Sequence, residues 1–454
     1  MNRLSFRDPL SKVCSEGNTI YRKLDNHSFN FFKTLKAQNF FQEMIEKKKV
    51  QDFSFDEGNK FVMTHKYIKN FVTSNEMSSY QLYLSGLHTL DLLVECLKNG
   101  YCLKDASSWN IVFYEGQPIF LDIGSFENWD GNKVWFAYGQ FVRHFIVPLI
   151  LNKETGIKTS FLFNNYFDGI DPLTAKKILG IKSFKSWKNI EFIYLPSLLE
   201  RKKITKFYGQ TQTQNKNNKE INLSIMLKII YRLRDKIKYL EPKNDSFWSE
   251  YTNSRDHYTS VDIEIKKDFF KKFIFKKSGN LLDIGCNTGE FLDLAKQNKN
   301  ILPYGIDSDE ECINFSQKKN LNSNINLSCI NIANPQNAIG WVNSETQAFI
   351  KKNELFYDIT LFFGIMHHLM ITHRIPLNEI LKLLNYLTKK YVVFEFVNNK
   401  DEKFLELAGK NIYLYKYLNE EFLENEFAKY FKIEEKVNYK NNKNRSIYIL
   451  KKNN

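Results

Sequence analysis

The stretch LLDIGCNTGE, which begins at Leu281, constrains the fold of this chain more than any other. An apolar run leads into Asp283 and Gly285, Gly289 follows, and the helical pattern EFLDLAKQ comes next. A strand that turns sharply into a helix directs loop amides and the helix N-terminus towards a ligand. Glycines supply the permissive backbone that such a close approach needs. The stretch therefore predicts a ligand-binding turn in an α/β fold.

Short apolar runs alternate with helix-like stretches through the C-terminal half of the chain. The runs are NLLDIG, PYGID, YDITLFF and YVVFEFV. This alternation predicts a doubly wound, mostly parallel sheet with helices on both faces. The final stretch, FKIEEKVNYKNNKNRSIYILKK, has two strand-like runs around a polar turn. It predicts an antiparallel hairpin at one edge of that sheet.

The glycine spacing bears on which ligand the turn binds. A dinucleotide fingerprint, Gly-x-Gly-x-x-Gly, would need glycines at positions 287 and 290. Those positions hold Asn287 and Glu290. The acidic Asp283 ahead of the first glycine also suits a cationic ligand better than a pyrophosphate. The pattern therefore argues against a dinucleotide.

Four segments in order resemble the motifs of class I S-adenosylmethionine-dependent methyltransferases. LDIGCNTGEF is similar to their acidic-x-Gly-x-Gly-x-Gly loop, with Asn287 in place of the middle glycine. YGIDSDEECI and CINIANP resemble the second and third motifs, and YDITLFFGIMHHL resembles the fourth strand and its exit loop. The resemblance covers roughly residues 250–454. It implies a Rossmann-like methyltransferase with S-adenosyl-L-methionine as cofactor.

The same resemblance implies roles for individual residues. Asp307 would accept hydrogen bonds from the ribose hydroxyls, and Asn331 would accept one from the adenine amino group, where the family often has Asp. The predicted cofactor-binding residues are Asp283, Gly285, Cys286, Asn287, Gly289, Asp307, Ser308, Asn331, Ile332, Phe363 and Gly364. Because one fold serves many functions, a doubly wound domain that binds another ligand remains an alternative.

His367 and His368 are the candidate catalytic residues. They follow a predicted strand, at the sheet edge where ligands bind in this architecture. Methyl transfer from a sulfonium mainly needs the reactants to be held in line. A base is needed only when the acceptor is a hydroxyl or a protonated amine, and an imidazole titrates in the suitable range. The alternative is that either histidine packs or caps the following helix.

Composition narrows the class of protein. The chain has 454 residues, 43% of them apolar, and a net charge of +14. A basic chain invites a nucleic-acid interpretation, but the joint abundance of Lys, Asn, Ile and Phe favours a bias of the source. None of the six cysteines forms a Cys-x-x-Cys pair, and no metal site is predicted. With no apolar signal region and no uninterrupted spanning segment, we expect a cytoplasmic protein.

The stretch RKKITKFYGQTQTQNKNNKEIN, which begins at Arg201, indicates a domain boundary because it is polar, basic and without apolar periodicity. A helical pattern ended by Pro242 follows it. The predicted division is a first domain over 1–200, a basic linker and helix over 201–245, and the methyltransferase domain over 246–454.

The first domain contains a second Leu-Asp-Ile-Gly, in LKDASSWNIVFYEGQPIFLDIG. Asp105, Asn110 and Asp122 in this stretch resemble the catalytic loop and Asp-Phe-Gly segment of protein kinases and of aminoglycoside phosphotransferase-type kinases. In those enzymes the first Asp orients the attacking hydroxyl, and the Asn and second Asp hold magnesium. The resemblance implies an α+β kinase-like domain. The alternative is a hairpin whose Asp and Asn side chains cap turns.

The phosphate-binding parts of a kinase are missing from the sequence. Leu103 stands where the family has His, no glycine-rich loop precedes it, and Lys23 is a poor match for the strand lysine. We therefore expect a degenerate kinase-like domain.

The complete arrangement resembles a bacterial group of two-part, nodulation-protein-like methyltransferases. We predict methyl transfer to an O or N atom of an unidentified acceptor, with a sugar, glycolipid or metabolite presented by the kinase-like domain as the first expectation. The alternatives are a bifunctional enzyme with an active phosphotransferase domain, an RNA methyltransferase, and a scaffold that only senses the cofactor. The sequence does not predict an oligomeric state.

Overall fold

The computed structural model describes residues 2–5, 13–17, 19–56, 58, 61–129, 134–199, 222–242 and 260–453. It divides into two compact units. Unit 1 is Met1–Pro242 with Ala338–Thr346, and unit 2 is Lys243–Asn337 with Gln347–Asn454. Residues 201–221 and 243–245 of the predicted linker lie outside the described residues. The predicted domain boundaries stay a prediction.

Unit 1 contains a five-stranded antiparallel sheet with the order β1-β2-β3-β5-β4. Two short antiparallel pairs, β6–β9 and β7–β8, follow it in the chain. The strands are β1 Asn2–Ser5, β2 Val13–Glu16, β3 Thr19–Lys23, β4 Ser54–Phe55, β5 Val62–Lys66, β6 Tyr101–Leu103, β7 Ile111–Tyr114, β8 Gln117–Phe120 and β9 Phe126–Asn128.

The helices of unit 1 lie between the strands and after them. They are α1 Asn26–Lys36, α2 Asn39–Glu46, α3 Ser79–Lys98, α4 Tyr138–Phe141, α5 Val147–Thr155, α6 Thr159–Asn165, α7 Pro172–Leu179, α8 Trp187–Asn189 and α9 Leu223–Lys238. Helix α3 begins with a capping box, in which the Ser78 hydroxyl and the Gln81 side chain each satisfy a backbone N–H. Its buried residues join one core with α5 and α9.

Helix α9 packs on α3 within unit 1. Arg234 pairs with Asp91 at 2.6 Å, and the Ile237 side chain would lie 2.4 Å from a Cβ built on Gly86. Glycine at position 86 therefore permits the close approach of the two helices. The helix that the sequence predicts before Pro242 is present, as part of the unit 1 core.

Unit 2 is built on a seven-stranded mixed sheet with the order β12-β11-β10-β13-β14-β16-β15. The first five strands in this order are parallel, and β14–β16–β15 are antiparallel. The strands are β10 Gly279–Ile284, β11 Ile301–Asp307, β12 Asn326–Cys329, β13 Tyr357–Phe362, β14 Thr388–Val397, β15 Phe431–Asn438 and β16 Arg445–Lys452. The predicted Rossmann-like sheet and its edge hairpin are confirmed.

Helices separate the parallel strands, as the alternation in the sequence predicts. They are α10 Ser260–Ile274, α11 Glu290–Ala295, α12 Glu310–Lys319, α13 Phe349–Lys352, α14 Leu377–Leu387, α15 Glu402–Ala408 and α16 Glu420–Ala428. All six residues of β13 are buried. Such continuous burial is typical of a parallel strand that is covered on both faces.

Among the described residues, no helix combines the length and the apolar character that crossing a membrane would require.

Candidate cofactor site

Three neighbouring parallel strands bring the predicted cofactor residues to one edge of the sheet of unit 2. Strand β10 lies between β11 and β13, with Asp283 opposite Gly305 on one side and Leu361 on the other. The carboxyl ends of parallel strands meet at the same edge, which is where open α/β sheets bind ligands. Asp283, Asp307 and Phe363 stand at or just beyond these three ends.

Three residues in the turn after β10 have a left-handed backbone conformation. Gly285, Asn287 and Gly289 have φ angles of +76°, +48° and +83°. Asn tolerates this conformation better than most residues, and the Asn287 side-chain oxygen also accepts a hydrogen bond from the Thr288 N–H at 2.7 Å. At position 289, a Cβ would lie 2.5 Å from the Ser316 hydroxyl. The loop thus keeps the shape of the glycine motif although Asn replaces the middle glycine.

Asp307 joins this loop to the end of β11. One carboxylate oxygen accepts a hydrogen bond from the Asn287 N–H at 2.8 Å, and the other accepts one from the Asp309 N–H at 2.9 Å. Two backbone N–H groups therefore hold the carboxylate in place at the end of β11.

Asp283 is a buried acid beside this loop, and the residue is only 3% exposed. Burial raises its pKa to about 7; the Lys266 ammonium opposes this shift and the Asp307 carboxylate adds to it. A buried carboxyl with such a raised pKa lacks sufficient compensating positive charge. A cation bound nearby would restore the ionised form.

The residues predicted for the adenine end lie beyond β11 and β12. Ile332 is buried, whereas Asn331 is exposed and its side-chain oxygen accepts a hydrogen bond from the Ala333 N–H at 3.0 Å. The Ser308 carbonyl lies 3.9 Å from the Cys329 sulfur. Cys286 is buried, and burial raises the pKa of its thiol well above the ordinary value. Cys286 is thus an inert packing residue rather than a nucleophile.

Lys266, on helix α10, was not predicted as part of the site. Its ammonium lies 4.3 Å from the centre of the Phe363 ring and 2.8 Å from a carboxylate oxygen of Glu395. Phe363 is buried, and Gly364, with φ +65°, turns the chain after it. A lysine in a predicted helix gives no sequence signal for such a partner, because the two residues are 129 positions apart.

Glu395 belongs to a buried charge network that reaches the last strand. It is fully buried and also accepts a hydrogen bond from the Tyr439 hydroxyl at 2.8 Å. Arg445 forms a bidentate salt bridge with Asp401, with its Nε 2.8 Å from Oδ2 and its Nη2 2.9 Å from Oδ1. Burial alone would raise the pKa of Glu395, but Lys266 and Arg445 hold it at about 2. The network ties β14, β16 and α10 together with every acid ionised.

His367 and His368 follow β13 with ring centres 4.3 Å apart. His367 is 4% exposed, and its Nδ1 is buried without a hydrogen-bond partner. Burial, with help from His368 and Arg445, lowers the pKa of His367 to about 3, and burial lowers that of His368 as well. Both imidazoles are therefore neutral near pH 7. Their predicted role as bases stays a prediction.

In unit 1 the kinase-like residues come together beside an arginine. The side chain of Asp122 receives hydrogen bonds from Arg22 at 2.6 Å and from the Ser125 hydroxyl at 2.7 Å. Asn110 donates to the Ser125 hydroxyl at 3.2 Å. Burial raises the pKa of Asp105 and the nearby Asp122 carboxylate adds to this, so the two acids are close enough to interact.

The Arg22 guanidinium lies 2.6 Å from the Asp122 carboxylate, the group that a kinase-like loop would offer to a metal. A Cβ on Gly124 would lie 2.0 Å from the Arg22 Nη1 atom, so only glycine leaves room for the guanidinium. In the described part of the chain, no group of three or more His, Cys, Asp or Glu side chains is arranged to hold a metal ion. A kinase-type magnesium would need Asp122 as a ligand, and that carboxylate is instead paired with Arg22.

A comparison with family models matches residues 256–436 to a family described as a methyltransferase domain. The chain carries a methyltransferase domain. Four motifs in order and the glycine loop with its bound Asp307 agree with that match. The protein is an S-adenosylmethionine-dependent methyltransferase, and S-adenosyl-L-methionine is its cofactor.

The methyltransferase is similar over most of its length to the nodulation protein NoeA of Rhizobium meliloti (strain 1021). The identity is 26% over 436 residues, which cover 92% of this chain and 89% of NoeA. The resemblance to the nodulation-protein-like group is thus confirmed.

Two solved structures share similarity with the methyltransferase. The N-methyltransferase NodS from Bradyrhizobium japonicum WM9, in complex with S-adenosyl-L-homocysteine, has a TM-score of 0.32 at 12% identity and covers 45% of this chain and 99% of its own. The bifunctional kinase-methyltransferase WbdD has a TM-score of 0.29 at 18% identity and covers 42% of this chain and 39% of its own. Both scores are below 0.5, so the assignment rests on the family match and the motifs.

Proposed function

We propose that this methyltransferase transfers a methyl group to an O or N atom of a small-molecule or glycan acceptor, such as a sugar, glycolipid or metabolite. The observation that carries the cofactor part of this proposal is the contact between Asp307 and the Asn287 N–H, which joins the loop after β10 to the end of β11. The proposed cofactor contacts are Asp283 and the loop from Gly285 to Gly289, with Asp307 and Ser308, then Asn331, Ile332, Phe363 and Gly364.

The bound cofactor supplies an electrophilic methyl group on a sulfonium. The protein's own contribution is to orient the reactants and to exclude water. Asp283 provides negative charge for a cationic ligand, and Asp307 provides acceptors for hydroxyl groups. Where the acceptor atom must lose a proton, His368 is the better candidate, because it is half-buried whereas His367 is almost inaccessible.

Calorimetry with S-adenosylmethionine tests the cofactor site. We expect the Asp307→Ala variant to bind about 10- to 100-fold more weakly, because hydrogen bonds to a charged group contribute roughly 1.5–3 kcal/mol. Asp358→Asn is the matched control, since Asp358 accepts from the Asn280 N–H at the opposite edge of the same sheet. Unchanged S-adenosylmethionine affinity in the Asp307→Ala variant would contradict the proposed cofactor site.

We further propose that residues 1–200 form a degenerate kinase-like domain that presents the acceptor. Its support is the convergence of Asp105, Asn110 and Asp122 near the β7–β8 hairpin, together with the absence of phosphate-binding motifs from the sequence. The Arg22–Asp122 pair disfavours a phosphotransferase. ATP turnover that disappears in an Asp122→Ala variant would instead support the bifunctional alternative.

The acceptor class can be found by incubating the protein with methyl-labelled cofactor and a fractionated lysate. Label in a small-molecule or glycan-containing fraction is the expected result. Label in RNA, with binding that weakens steeply as salt is raised, would favour the RNA methyltransferase alternative. Cofactor binding with no label in any fraction would point to the scaffold alternative.

A further inference from the structure

Unit 1 exposes three large apolar side chains within eight residues. Ile181 is 88% exposed, Phe184 50% and Trp187 76%. We call residues 181–188 the 181–188 patch. Single exposed apolar residues are ordinary on protein surfaces, but a contiguous group is typical of an interaction site.

The local backbone places two of these side chains on one face. Residues Gly180–Phe184 form a 3₁₀ helix, in which positions three apart lie above one another, so Ile181 and Phe184 share a face. Trp187 begins α8 three residues later, after Ser186, whose extended backbone (φ −137°, ψ 155°) ends the repeat. The three exposed apolar side chains are thus close along the chain.

Lysines accompany each apolar residue. Lys182, Lys185 and Lys188 directly follow Ile181, Phe184 and Trp187 in the sequence. Residues 172–190 include five lysines and no Asp or Glu. The patch is thus strongly basic.

The nearest acids cancel only part of this charge. Glu154, with a side chain 10% exposed, pairs with Lys185 at 3.0 Å and neutralises it. Glu191 pairs with Lys236, which lies outside the segment. Among the described residues, the other four lysines of the segment form no ion pair with an acid, so the segment keeps an excess of positive charge.

We propose that the 181–188 patch docks the protein on the surface of an anionic phospholipid bilayer. Trp and Phe are favoured at the bilayer interface, aliphatic side chains enter the acyl region, and lysines contact lipid phosphates. Charge complementarity alone would also suit RNA, and aromatic rings can stack on bases. The most exposed member, Ile181, has no such use on RNA, so the composition favours a lipid surface.

Vesicle flotation with the full chain tests the proposal. The vesicles are phosphatidylcholine alone and phosphatidylcholine mixed with phosphatidylglycerol. We expect binding to the mixed vesicles to be at least about tenfold stronger and to weaken as salt is raised. Equal binding to both vesicles, or binding to neither, would overturn the proposal.

Substitutions separate the patch from the rest of the surface. An Ile181→Ser, Trp187→Ser double variant should bind the mixed vesicles at least about tenfold more weakly, because it loses the apolar groups that enter the interface. Trp341→Ser is the matched control, since Trp341 is 67% exposed outside the patch. Circular dichroism and cofactor calorimetry check that both variants are folded.

Tryptophan quenching gives a second readout that does not depend on affinity. Brominated lipids in the mixed vesicles should quench the fluorescence of the unaltered protein, and a Trp187→Phe variant should lose most of this quenching while it still floats. Undiminished quenching in Trp187→Phe would contradict the proposal. So would RNA binding, measured by anisotropy with polyuridine, that exceeds vesicle binding and is lost in the double variant.

Discussion

Asp283 shows how burial prepares a single residue for its ligand. Its folded-state pKa of about 7 lies above the ordinary value of 3.8, because burial disfavours the carboxylate. The stabilising contribution of this group is therefore complete below about pH 4 and is lost as the pH rises through about 7. A shift of this size corresponds to roughly 4 kcal/mol at most. A cationic ligand would offset the cost of ionisation.

We expect cofactor binding near pH 6 to release close to one proton, because a bound cation favours the ionised form of Asp283. The measurement is calorimetry in two buffers with different heats of ionisation. Asp283→Asn should abolish the buffer dependence and should make the stability of the free protein less sensitive to pH between 4 and 7. Proton release that persists in Asp283→Asn would mean that another group titrates.

Asn287 carries a backbone conformation that the sequence motif normally assigns to glycine. At φ +48°, a side chain without a local hydrogen bond is strained by roughly 1–2 kcal/mol. We expect Asn287→Ala to be less stable towards urea than Asn287→Gly by about 1 kcal/mol.

Asn322 provides the matched control for this prediction. It is exposed, has φ +55° and lies outside the cofactor site. Asn322→Ala should lose similar stability without a change in cofactor affinity, whereas Asn287→Ala should lose both. Equal effects of the two alanine variants on cofactor binding would contradict a specific role for the loop.

At the scale of elements, the antiparallel hairpin is held to the parallel strands by buried charge. Arg445 on β16 and Asp401 before α15 have side chains only 3% and 1% exposed. Removal of one partner leaves the other charge buried and uncompensated. This is far more costly than loss of an ion pair at the surface.

We expect Arg445→Met to lower the free energy of unfolding of unit 2 by roughly 3–5 kcal/mol. The Arg445→Met, Asp401→Leu double variant should recover a large part of that loss. Lys382→Met, which breaks the exposed pair with Glu379, should change stability by less than about 0.5 kcal/mol. Denaturant titration measures all three, and an Arg445→Met effect as small as the surface control would contradict the network.

At the scale of the whole molecule, the two units differ in what their acidic loops contain. The loop in unit 2 has an acid with a raised pKa and a fixed acceptor at Asp307. In unit 1, Asp122 is already neutralised: burial would raise its pKa, but Arg22 and the hydrogen bonds around it hold the value below the ordinary one. The two acids that end the Leu-Asp-Ile-Gly strands therefore differ: Asp283 in unit 2 lacks a sufficient positive partner, whereas Asp122 in unit 1 is compensated by Arg22.

We expect Mn²⁺ with ATP to give no bound-metal signal by paramagnetic resonance in the unaltered protein. Arg22→Ala removes the guanidinium that pairs with Asp122, and it should therefore create a metal site at Asp122 and Asn110. Gly124→Ala should do the same, because its Cβ would displace the guanidinium. A tight Mn²⁺ signal in the unaltered protein, or none in either variant, would contradict the assignment of Arg22.

The sequence by itself determined the strand–loop–helix at Leu281 and the parallel sheet with its antiparallel edge, and the resemblance of its motifs to class I methyltransferases implied the cofactor. The fold features follow from the spacing of apolar residues and from the positions of glycines. Residues that are close together in the sequence specify both. Only the tertiary structure decided which distant side chains meet. Arg22 with Asp122 and Lys266 with Glu395 are 100 and 129 positions apart. Periodicity shows which face of an element is buried, but it does not specify the charged partner on another element, and therefore the burial of His367 and the neutralisation of Asp122 could not be predicted.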